Sequence, residues 1–69
     1  MAEVFDQIDT FEFSEPLTGE QCVVVVCAGS PGVALTLSRQ TDGDVEVVLP
    51  PGEVRQLIDA LVAGLRHAE

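Results

Sequence analysis

The chain of 69 residues has no Trp and no Tyr, one His, two Cys, and three basic residues against twelve acidic ones. Each shortage removes a class of protein. Acid–base and nucleophilic catalysis need a His, Cys or Lys set beside a partner group. The carboxylates of Asp42 and Asp44 flank a glycine in a turn with no such partner placed for them, so no catalytic residue and no enzyme activity is expected. Two cysteines make no disulfide framework. In an extended strand Cys22 and Cys27 lie on opposite faces with Cα atoms about 17 Å apart, whereas a bridge needs about 7 Å or less. They read as small core hydrophobes, and free thiols fit a reducing cytoplasm. A structural zinc needs about four clustered ligands; two opposed thiols and His67 do not supply them, so neither a metal nor another cofactor is expected.

The deficit of base leaves a formal net charge of −9, a field that repels a phosphate backbone and excludes direct nucleic-acid binding. Long hydrophobic runs are missing as well. The longest, Cys22 to Ala28, is far short of the roughly 20 residues of a membrane span, and no targeting segment is evident. The expectation is a soluble cytoplasmic protein with no membrane partner.

What is present is a strand-forming centre. Cys22-Val23-Val24-Val25-Val26-Cys27 is six consecutive apolar residues, four of them β-branched, a pattern that predicts a central strand buried on both faces. Before it, Thr10-Phe11-Glu12-Phe13-Ser14 alternates as a half-buried strand, with Phe11 and Phe13 on one face. Residues 1–9 have no such pattern and read as a flexible acidic arm ahead of a single domain over residues 10–69. Ala28-Gly29-Ser30-Pro31-Gly32 is a turn by composition; without a Lys-Ser/Thr pair it is no phosphate loop. Val33 to Arg39 and Val45 to Leu49 alternate again. Pairing Leu37 with Val47 keeps the apolar sets on one face and leaves Thr41-Asp42-Gly43 at the tip, with Gly43 in the left-handed conformation.

Pro50-Pro51-Gly52 ends the last strand and opens a helix. In it Val54, Leu57, Ile58, Leu61, Val62 and Leu65 form one apolar stripe. The predicted fold is therefore α+β, an antiparallel four-stranded β-meander followed by one C-terminal α-helix packed on one face (ββββα). The helix is expected to cover the face with Leu35, Leu37, Val45, Val47 and Leu49.

One helix leaves the second sheet face uncovered, and a domain of this size buries only about 60% of the surface its unfolded chain exposes. With disulfide and metal excluded, a second subunit is the remaining source of stability.

Several segments together resemble a known group. They are the aromatic-x-x-Ser of Phe11 to Ser14, Gly19-Glu20-Gln21-Cys22-Val23-Val24-Val25, Gly32 to Arg39, Asp42-Gly43-Asp44, and Pro51-Gly52-Glu53-Val54 opening the helix. In order and spacing they resemble the small actinobacterial accessory-regulator family that includes BldB and the partners of WhiJ-type helix-turn-helix repressors. Within that group the chain looks like a divergent member. Phe11 and Val54 stand where Trp is expected, Val24 where Glu is expected, and Thr36-Leu37-Ser38 where Arg-Asp-Ser is expected. The resemblance implies a small protein that forms homodimers and modulates a helix-turn-helix transcription regulator by protein–protein contact. It also implies that Val23 and Val25 lie under the helix, leaving Cys22, Val24 and Val26 on the second face, where strand alternation puts Ala34, Thr36 and Val48; these six residues are the expected dimer interface.

The partner-binding acidic surface is expected at Asp6, Asp9, Glu12, Glu15 and Glu20. An alternative from another class is an acidic mimic of nucleic acid that inhibits a DNA- or RNA-binding enzyme. Mimicry needs acids clustered on one face, and those five residues are the ones that crowd together in sequence.

Overall fold

The computed structural model describes residues 4–69. Strands β1 (Asp6–Ser14), β2 (Gln21–Gly29), β3 (Gly32–Arg39) and β4 (Gly43–Leu49) form one antiparallel sheet in the order β1-β2-β3-β4, and helix α1 (Pro51–Ala68) follows. The architecture is the expected ββββα meander. The apolar run of β2 lies between β1 and β3, where both its edges are paired. Its burial is partial: Cys22 is buried, while Val23 to Cys27 are half-buried.

Three sequence expectations are corrected by the pairing. The first is the N-terminal arm. Asp6, Gln7 and Asp9 pair with Ala28, Cys27 and Val26, so residues 6–9 belong to β1; Met1 to Glu3 lie outside the described residues. The alternation was hidden because the register shifts between Gln7 and Asp9, and an extra residue at a bulge breaks the two-residue period. Phe5 packs against the backbone at Gly29, where an added Cβ would meet its ring at 3.0 Å.

The second correction is the β3–β4 register. Leu37 pairs with Val45 and Leu35 with Val47, two residues away from the expected pairing of Leu37 with Val47. A slip of two keeps every side chain on its face, so the alternation could not tell these registers apart. The turn is Gln40 to Asp42, and Gly43, at φ 79°, opens β4.

The third concerns the β2–β3 hairpin. Gly29 pairs with Gly32 across Ser30 and Pro31. This short connection sets Val24 opposite Leu37 and Val26 opposite Leu35. Directly opposed residues share a face, so Cys22, Val24 and Val26 lie with Leu35 and Leu37, not with Ala34 and Thr36. The six residues assigned to one dimer interface thus divide between the two faces. Gly32 itself is at φ 149°, and a Cβ there would overlap the carbonyl oxygen of Leu49.

Helix α1 begins after Pro50, which is extended at φ −64° and ψ 160°, and Pro51 occupies its first turn. Glu53 stands in that turn and Arg66 and His67 in the last, matching the helix dipole. The helix touches β3 and β4, yet only Val54 and Leu57, near its start, are half-buried, and Ile58, Leu61, Val62 and Leu65 are exposed. The expected cover over Leu37, Val45 and Val47 is therefore not made by the helix; these residues are 50%, 61% and 52% exposed. Among the described residues the buried hydrophobic side chains are Cys22 and Ala34 alone.

Candidate interaction surface

The register sorts the sheet into two chemically different faces. One carries the cross-strand rows Phe13–Cys22–Arg39, Phe11–Val24–Leu37–Val45 and Asp9–Val26–Leu35–Val47. Apart from Arg39 and, along the β1 edge, Asp6 and Asp9, it is apolar. Phe11 and Phe13 stand side by side with ring centroids 6.4 Å apart. The other face carries Glu12–Val23–Ser38–Asp44 and Thr10–Val25–Thr36–Glu46, with Cys27–Ala34–Val48 beyond. There the carboxylates are tied to neighbours on the adjoining strand. Ser38 Oγ donates to Asp44 Oδ1 at 2.6 Å, Thr36 Oγ1 to Glu46 Oε2 at 3.3 Å, and Gln21 Nε2 to Glu12 Oε1 at 3.4 Å.

At one end of the apolar face, Phe13, Cys22, Val24, Leu37, Arg39 and Val45 line an open depression of about 480 Å³. Its border is a charged knot around Arg39. Arg39 Nη2 donates to Glu15 Oε1 at 2.9 Å and lies 3.8 Å from Glu20 Oε1, and Arg39 Nη1 is 3.1 Å from Asp42 Oδ2. Thr41 donates its hydroxyl to Glu20 at 2.9 and 3.0 Å, and Thr18 donates to Glu15 at 3.0 Å. One guanidinium among three carboxylates leaves an excess of negative charge beside an apolar hollow. The pairs are partly solvated, Arg39 being 41% exposed, so each contributes on the order of 1 kcal/mol or less to stability. What they do is hold the β1–β2 connection against the β3–β4 turn.

The acidic residues singled out in sequence are dispersed by the fold. Asp6 and Asp9 lie on the β1 edge of the apolar face, Glu12 on the polar face, and Glu15 and Glu20 in the Arg39 knot. Asp44 and Glu46, which the sequence did not assign to the acidic surface, share the polar face with Glu12. Arg39 was missed as well. Two of its three partners, Glu15 and Glu20, are 24 and 19 residues upstream, a distance at which no local pattern signals a contact.

The two thiols lie where strand alternation put them: Cys22 on the apolar face and Cys27 on the polar one, both free. Among the described residues no group of three or more His, Cys, Asp or Glu is placed to hold a metal ion, and no helix is long and apolar enough to cross a membrane. No protein-family model matches the chain, and no curated protein or solved structure matches it either.

Proposed function

We propose that the chain is a non-enzymatic, cytoplasmic regulatory protein that works as a homodimer and modulates a helix-turn-helix transcription regulator by protein–protein contact. The observation that carries the reading is the missing core. A described chain whose buried hydrophobic side chains are one Cys and one Ala cannot offset a conformational entropy cost of roughly 1.5 kcal/mol per residue alone. It also leaves an apolar sheet face open to solvent, and exposed apolar patches of that kind mark interaction sites.

The regulator as partner is supported by the order of the motifs from Phe11 to Val54 and by the net charge of −9, which suits a basic partner and not DNA. Of the residues assigned to the interface, Cys22, Val24 and Val26 share the apolar face and are retained. Ala34, Thr36 and Val48 point the other way and are released. The division of the acids between two faces favours this reading over mimicry of nucleic acid, which needs them together.

A gene for a helix-turn-helix regulator is expected beside this one, and co-expression of the two products should give a complex that survives gel filtration, while the chain alone should not shift duplex DNA at about 150 mM salt. A DNA shift by the isolated chain, or recovery of a nuclease in place of the regulator, would sink the proposal.

A further inference from the structure

Among the described residues two apolar surfaces lack a partner, and they match each other. The first is the sheet face with Phe11, Val24, Leu37, Val45 and Val47. The second is the α1 stripe of Ile58, Leu61, Val62 and Leu65, with Leu61 63% exposed. A helix of this length is about 27 Å long, close to the roughly 23–30 Å length of β2 and β4. The chain's own helix does not lie on the face. Consecutive prolines at the junction, with Pro50 extended, leave it little rotational freedom, and past Leu57 the stripe runs on without cover.

The surface area gives the same message. The chain exposes 5399 Å², where a compact monomer of 7.3 kDa would expose about 4,200 Å². Its Cα radius of gyration is 13.5 Å, against about 11 Å for a compact chain of this length. The excess, roughly 1,200 Å² per chain, would total about 2,400 Å² in a twofold pair, which falls in the range of obligate homodimers.

We propose that in the homodimer α1 of each chain crosses to the other copy and lies along its apolar sheet face, a reciprocal helix exchange with the crossover at Pro50-Pro51. Val54 and Leu57 stay on their own β3 and β4, and Ile58 to Leu65 fill the partner's face. A twofold axis beside the crossovers brings the two Leu49 ends together, so each helix runs from that end toward the depression at Arg39. Arg66, one turn beyond Val62, then arrives beside the excess negative charge of Glu15, Glu20 and Asp42 in the other copy. The inference rests on the homodimer reading above and names what covers the face.

The test is complementation between two variants of the full chain, followed by sedimentation velocity. Leu37→Asp spoils the sheet face and leaves the helix intact; Leu61→Asp spoils the helix and leaves the face intact. Each variant alone should sediment as a monomer. An equimolar mixture should recover dimers, because one intact helix meets one intact face, and recovery holds even if either variant is poorly folded by itself. A dimeric Leu61→Asp beside a monomeric Leu37→Asp would overturn the exchange and leave the homodimer standing, with the sheets face to face. Two variants that stay monomeric on mixing would overturn it also. An unaltered chain that is monomeric at tens of micromolar would overturn both readings. Arg66→Glu should weaken the dimer by up to about thirtyfold at low salt, about fivefold for each of the two symmetry-related contacts, and by less at high salt; an unchanged dissociation constant would overturn the orientation given to the helix.

Discussion

Gly32 and Gly43 are both at positive φ, and for different consequences. At Gly43, φ 79°, a side chain would enter open space, so only the backbone conformation resists substitution. Gly43→Val should cost at least about 1 kcal/mol, since a β-branched residue is strained there. At Gly32 the strain of φ 149° is joined by an overlap with the Leu49 carbonyl oxygen, which belongs to the last residue of β4. Gly32→Ala should therefore cost more than Gly43→Ala, measured as the shift in urea midpoint at one fixed protein concentration. Equal midpoints would mean that β4 does not run against Gly32. Composition marked both glycines as turn residues; only the tertiary contact separates them, because Leu49 is remote in sequence.

Strand β2 has an apolar residue at every position from Cys22 to Cys27 and so carries no signal of which side faces which neighbour. That is why the sheet as an element was legible while its faces were not. Alternation placed Leu35 with Leu37, and Phe11 with Phe13, but matching these sets across β2 depends on the turn at Ser30-Pro31. Once Gly29 is opposite Gly32 and Phe11 opposite Val24, both sets fall on one face with Val24. The same strand geometry keeps the thiols apart. Mild oxidation should give no intrachain disulfide, checked as an unchanged monomer mass under denaturing conditions. A loss of two hydrogens in the monomer would contradict the extended course of residues 22–27.

For the assembled molecule, the decisive quantity is apolar surface left uncovered by a single chain. If folding and pairing are coupled, the melting temperature should fall on dilution, as for any equilibrium in which association stabilises the native state; a concentration-independent transition would point to a self-sufficient monomer. Val24→Glu would set a carboxylate amid Phe11, Leu37 and Val45 in the covered face. An unpaired charge buried there is costly, so the substitution should shift the equilibrium from dimer to monomer in a sedimentation dilution series. In a monomer, where Val24 is only half-buried, the same change should have little effect on mass and less on stability.

The residues of this chain, taken in order, determined the secondary-structure elements, their antiparallel succession, the glycine at the β3–β4 turn and the separation of the thiols. Each of these follows from local period, turn chemistry or strand geometry, which act over a few residues. The tertiary structure alone decided the residues at which β1 begins, the two-residue offset of β4, the face shared by Val24 and Leu37, and the gathering of Glu15, Glu20 and Asp42 around Arg39. These depend on pairing between segments whose patterns fit more than one register. The course of α1 was also undecided by its stripe: six apolar residues at helical spacing require a cover, but nothing in their spacing says whether the cover belongs to the same chain. Pro50 and Pro51 set the direction in which the helix leaves the sheet, and that direction leaves the stripe from Ile58 to Leu65 open.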